Sequence, residues 1–169
     1  MTIMIDAHEN RDVATADIMG AYLHAHMKDF ITMCFTGWAV DLLCDVNVDY
    51  EQYTAYEGKT KVLYVCCNKA IYRCIMSRIF WYELFTSTLE GHGFVLNPYD
   101  FCVTNATIAG SQCTIGWFID DTKISHIDPT IVTDILNLLE SHFGKMTITH
   151  GAEHEFLGMK LKYNGDGTA

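Results

Sequence analysis

The spacing of apolar and polar residues changes several times along the chain, and each change marks an element. Residues 1–12 are polar, with no clear period. An apolar stretch then opens at Asp17 and runs Ile18-Met19-Gly20-Ala21-Tyr22-Leu23, which predicts a strand ending near Asp17 and turning into a short helix. Phe30-Ile31-Thr32-Met33-Cys34-Phe35 alternates as a strand does, and Gly37 breaks it. Trp38 to Cys44 predicts a short helix with Val40, Leu43 and Cys44 on one face. Asp45 to Lys61 is polar and tyrosine-rich, an excursion with a turn at Glu57-Gly58-Lys59. A strand is predicted over Lys61 to Cys67.

The longest segment without a breaker is Lys69 to His92. Ile71, Cys74, Ile75, Ile79, Tyr82, Phe85 and Leu89 recur there at steps of three and four, predicting a helix that ends at Gly91-His92-Gly93. Phe101–Asn105 and Gln112–Ile119 read as strands around a loop that contains Ala109-Gly110-Ser111. Asp128-Pro129 reads as a helix start, an N-cap followed by proline in the first turn. That helix carries Val132, Ile135, Leu136, Leu139 and Phe143 inward and stops at Gly144. Thr147–Thr149 and Phe156–Tyr163 close as strands. The order is strand, helix, strand, strand, helix, strand, plus an insertion. It predicts an α+β fold with helices packed on one face of a mainly antiparallel sheet, a single domain over residues 1–163 and a frayed tail over 164–169.

Composition narrows the classes. Half of the 169 residues are apolar and two are proline, so a packed core is expected and disorder is not. No apolar run is long enough to span a membrane, and no signal-peptide pattern opens the chain. The seven cysteines include no Cys-x-x-Cys pair and several sit in apolar segments, which favours reduced, buried thiols in an intracellular protein over a disulfide framework or a zinc site. The net charge of −10 argues against a free-standing, tight nucleic-acid binder.

Against that background, Phe118-Ile119-Asp120-Asp121-Thr122 stands out as two adjacent carboxylates between two strands. Such a pair adds little to packing and can hold a divalent cation. Asp17 ends an earlier strand, and in an antiparallel sheet that strand end and the hairpin tip can be neighbours. Three convergent carboxylates make a hard-oxygen site suited to two Mg²⁺ ions and to in-line phosphoryl transfer.

Four motifs in order resemble the copia-type retrotransposon reverse transcriptases. Asp17-Ile18-Met19-Gly20-Ala21-Tyr22-Leu23, followed by Ile31-Thr32-Met33, is similar to their first catalytic motif. Asp12 opens a similar run, but Asp17 keeps the later residues in register and puts an aromatic ring five positions on. Lys69-Ala70-Ile71-Tyr72 with Trp81-Tyr82 resembles the second motif, Phe118-Ile119-Asp120-Asp121 the Tyr-Val-Asp-Asp hairpin, and Gly151 with Phe156-Leu157-Gly158 the closing segment. The resemblance spans Asp12 to Tyr163. It implies the palm and partial fingers of an RNA-directed DNA polymerase with Asp17, Asp120 and Asp121 as catalytic metal carboxylates. The ions are two Mg²⁺, with Mn²⁺ as the alternative. Ile18, Tyr22, Arg73 and Phe118 fall in the substrate pocket, Tyr22 as the steric gate against a 2′-hydroxyl. Phe156, Leu157 and Gly158 fall in the primer-grip strand. The implied partners are an RNA template, a DNA primer and a dNTP, together with fingers, thumb and RNase H parts of a polyprotein. The implied setting is intracellular, in a cytoplasmic virus-like particle or the nucleus, with no membrane.

The chain departs from that pattern in its second motif, where Arg73 stands at the family's glycine and the lysine, glutamine and proline that follow are gone. This keeps open an alternative, a catalytically inactive palm remnant serving as a structural or nucleic-acid-binding module. A metal-dependent nucleotide cyclase is a third reading, although no glycine-rich substrate loop is present. His150-Gly151-Ala152-Glu153-His154 also matches an inverted zinc-protease pattern, but that pattern needs a helix, and Gly151 between β-rich runs predicts a turn.

Overall fold

A computed structural model describes residues 2–169. Its centre is a six-stranded antiparallel sheet in the order β5-β6-β7-β8-β1-β9. The strands are β1 (Asp12–Asp17), β5 (Val95–Asn97), β6 (Asp100–Ile108), β7 (Ser111–Phe118), β8 (Asp121–His126) and β9 (Thr147–His150). Alternation sorts the side chains of the central strands onto two faces. Ala14, Ala16, Cys113, Ile115, Trp117 and Ile124 face the two long helices, α4 (Ser77–Gly91) and α5 (Pro129–Phe143), in one continuous core. Within it the rings of Phe85 and Trp81 lie 5.6 and 5.1 Å from that of Phe143. As predicted, Asp128 caps α5 by accepting from the Thr130 N–H, and the five inward residues of that helix are all buried. The α+β class with antiparallel strands and two helices behind them is the observed fold.

The opposite face holds Thr15, Asp17, Thr114, Asp121, Lys123 and Ser125 in adjacent register positions. It is covered in part by α1 (Thr2–His8) and by a hairpin of β10 (Glu153–Phe156) and β11 (Met159–Lys162). The α1 helix lies where the sequence showed no period. Its buried residues are only Asp6 and Ala7, too few to produce one. Asp6 forms an ion pair with Lys123, and both are almost fully buried.

A second, small core lies apart from the main one. There α3 (Trp38–Val46) packs Val40, Leu43 and Cys44 onto a three-stranded sheet of order β2-β4-β3, formed by β2 (Thr32–Thr36), β4 (Thr60–Cys66) and β3 (Thr54–Glu57). The polar excursion is thus structured, as a 3₁₀ helix over Val48–Tyr53 and a β3–β4 hairpin turning at Gly58.

Two expected elements are corrected. The helix predicted from Lys69 begins only at Ser77. Before it, Tyr72-Arg73 turns with Arg73 at φ 70°, and the Ser77 hydroxyl both accepts from the Ile71 N–H and donates to the Ile71 carbonyl. Ile71, Cys74 and Ile75 matched a helical period without being helical, and the buried face of α4 is Phe80, Trp81, Phe85 and Leu89. Phe156–Tyr163 is not one strand. Leu157 and Gly158, at φ 54° and 72°, form the two-residue turn between β10 and β11, a conformation that favours glycine at the second position. Residues 164–169, expected to fray, carry a local turn in which the Asn164 N–H donates to the Thr168 carbonyl.

Candidate active site

The paired register of β1 and β8 sets Asp17 directly opposite Asp121. Residues so placed have Cβ atoms about 5 Å apart, and like charges there cost up to about 1 kcal/mol. Asp120 lies in the two-residue turn between β7 and β8, one position beyond Ile119 at φ 59°. The tip is therefore Ile119-Asp120, and Asp121 already belongs to β8. A β-branched residue at positive φ is strained. Two hydrogen bonds hold it: Trp81 Nε1 donates to the Ile119 carbonyl at 2.8 Å, and the Ile18 N–H donates to the Asp120 carbonyl at 3.0 Å. The second bond ties the end of β1, and hence Asp17, to the hairpin tip. Burial pushes the Asp121 carboxyl above its usual range, and the negative charges of Asp120, Asp17 and Glu155 push the same way. None of the three aspartates has a cationic partner among the described ion pairs.

Beside the carboxylates lies an apolar cleft of about 380 Å³, lined by Tyr22, Arg78, Trp81, Trp117, Phe118 and Ile119 among others. Tyr22 comes from α2 (Ala21–His24), which starts at Gly20 in the left-handed region. The Lys69-Ala70 segment pairs with this part of the chain: the Ala70 N–H donates to the Ala25 carbonyl, and Lys69 Nζ to that of His24, both at 3.0 Å. This carries Tyr72 against Tyr22, with ring centroids 4.7 Å apart. Both phenols are pushed above their usual pKa, first by burial; Asp120 adds to it for both, while Arg78 partly opposes it for Tyr22. A smaller cleft of about 110 Å³ on the other side is lined by Thr15, Asp17, Asp121, Thr147, Glu155 and Phe156.

The fold thus gathers Asp17, Ile18, Asp120 and Asp121 at one sheet end, Tyr22 and Phe118 on the cleft, and Phe156 beside the carboxylates, with Leu157 and Gly158 in the adjoining turn. Arg73 is exposed and does not line either cleft; the arginine on the cleft is Arg78. Arg78, Tyr72, Trp81 and Glu155 were missed as site residues. Tyr72 and Trp81 lay within the second motif, whereas Glu155 had no signal beyond its place near the closing segment. Asp12 lies at the far end of β1, opposite His126. His150 and His154 fall on separate strands around Gly151, so the zinc-protease pattern has no helix. The buried His154 is bonded to Thr15 Oγ1 and to the Gly151 carbonyl, and burial lowers its pKa.

Three carboxylates and a backbone carbonyl are hard oxygen donors of the kind Mg²⁺ takes. Among the described residues no three acidic, histidine or cysteine side chains close on one point as a ready-made metal cluster. No helix among the described residues is long and apolar enough to cross a membrane.

No family model matches the sequence, and no curated protein matches it. Among solved structures, the chain is similar to a telomerase from Candida albicans in complex with a fragment of telomeric RNA. The TM-score is 0.46 and the identity 9%; the match covers 97% of this chain and 33% of the telomerase chain. The chain therefore spans about a third of that structure's length.

Proposed function

We propose that the chain is the palm, with part of the fingers, of a copia-type RNA-directed DNA polymerase that transfers a nucleotide from a dNTP to a primer 3′-hydroxyl. The observation that carries this reading is the in-register pair Asp17–Asp121 beside the strained Ile119-Asp120 tip, unfavourable charge and backbone held in place with no cationic partner among the described ion pairs. The order of the four sequence motifs supports it. Asp17, Asp120 and Asp121, with the Ile18 carbonyl, would hold two Mg²⁺ ions. When bound, these supply activation of the primer hydroxyl and charge neutralisation at the pyrophosphate. Tyr22, braced by Tyr72, presents an aromatic wall against a ribose 2′-hydroxyl. Arg78 offers a positive charge toward the triphosphate. The hairpin turn at Leu157-Gly158 positions the primer end.

A chain of net charge −10 needs added basic surface to hold a duplex. Extension of oligo(dT) on poly(rA) with dTTP and Mg²⁺ is therefore expected to be slight for this chain and robust for a form that also carries complete fingers and a thumb. Asp120→Asn should lower that activity by on the order of 100-fold or more. Equal extension by the variant would refute the reading. The alternative, a remnant that no longer polymerises, is favoured by Arg73 at a positive φ where the resembled family has glycine. Duplex binding without extension by the longer form would support it.

A further inference from the structure

The helices α4 and α5 run to a common end, and there two histidines meet. His92 follows the last residue of α4 as its C-cap, and His142 lies in the last turn of α5. Their Nε2 atoms are 3.1 Å apart, the rings are inclined at 67°, and both side chains are exposed. Imidazole nitrogens bind zinc-like ions at about 2.0–2.1 Å, which at a tetrahedral angle places two donor nitrogens roughly 3.3 Å apart. The observed separation is close to that span. Both histidines lie at helix C-termini, the end of a helix that favours a cation.

We propose that His92 and His142 form a binding site for a borderline divalent transition ion such as Ni²⁺, Co²⁺ or Zn²⁺, with water completing its coordination. Imidazole selects such ions over Mg²⁺, which prefers oxygen, so the site is chemically separate from the three aspartates. An ion here ties together the ends of the two helices that pack behind the catalytic hairpin. His142 adjoins Phe143, whose ring lies 5.1 Å from that of Trp81, the donor to the Ile119 carbonyl.

The test is thermal unfolding of the whole chain with and without Ni²⁺. An ion that binds only the folded state raises its Tm, by about 5–10 °C when present at some 100 times its dissociation constant. That shift is expected in the wild type and in Asp120→Asn, and is lost in His92→Gln, His142→Gln and the double variant. A shift of equal size in the double variant would overturn the proposal, as would no shift in the wild type. A second readout needs no variant. Ni²⁺, but not Mg²⁺, should protect His92 and His142 from carbethoxylation by diethyl pyrocarbonate, read by peptide mass; unprotected histidines would contradict the site.

Discussion

Asp121 and Lys123 sit two residues apart on one face of β8, yet their surroundings are opposites. Lys123 lies across from Thr15, under α1, and its ammonium pairs with Asp6. Arg11 Nη1 approaches the other Asp6 oxygen at 4.0 Å, and the Tyr163 phenol lies beside the pair. Asp121 lies across from Asp17 and next to Asp120, with three further negative charges around it in all. One end of the face buries charge and neutralises it. The other gathers like charge at an open cleft and adds a strained backbone, Ile119 at φ 59°; Arg73, in the loop before α4, is a second left-handed residue at φ 70°. The first pattern serves the fold, while the second gains the fold nothing. The same sheet face pairs the buried charge at Lys123 and leaves the like charges around Asp121 unpaired among the described ion pairs.

The largest effect should come from the closed end. Removing one partner of a buried ion pair strands the other, at about 3–5 kcal/mol. Lys123→Met should lower the unfolding free energy measured by urea titration by that amount, and the pair Asp6→Leu with Lys123→Met should recover most of it. A mild single-variant effect would erase the contrast between the two ends. Two substitutions away from that ion pair should have the opposite sign. Arg73→Gly relieves a left-handed residue and should raise stability by about 1 kcal/mol; a loss would show that Arg73 makes contacts worth more than the strain. Smallest is Asp121→Asn, which should stabilise at pH 7 by up to about 1 kcal/mol. Burial holds the carboxyl of Asp121 above the ordinary aspartate value of 3.8, so the folded state holds that proton more tightly than the unfolded state does. Wild-type stability therefore falls relative to the variant as pH rises through the raised pKa, and the gap closes below pH 3.8. A gap independent of pH would mean that charge is not its cause.

What the sequence reveals follows the strength of each physical signal. The α5 helix has a cap, a proline, a five-residue apolar stripe and a terminal glycine, so its bounds are legible. Period alone misplaces the start of α4, because Ile71, Cys74 and Ile75 mimic a helical face while the Tyr72-Arg73 turn is held by the Ser77 hydroxyl and by the Cys74 N–H on the Ile71 carbonyl. The closed end of the face is not legible at all. Asp6 and Lys123 are 117 residues apart, and only the fold joins them. The carboxylates of the open end could be nominated, since strand ends and hairpin tips are local features, but their register required the sheet. The His92–His142 pair likewise depends on how two helices end in space.

The most direct test of the carboxylate site uses Fe²⁺ as a stand-in for Mg²⁺, with ascorbate and peroxide to release hydroxyl radicals that cut the nearest backbone. Cuts are expected next to Asp17 and around Asp120-Asp121, suppressed by excess Mg²⁺ and absent in Asp120→Asn. Cuts that avoid both strand ends, or that persist unchanged in the variant, would contradict a divalent-cation site at this hairpin.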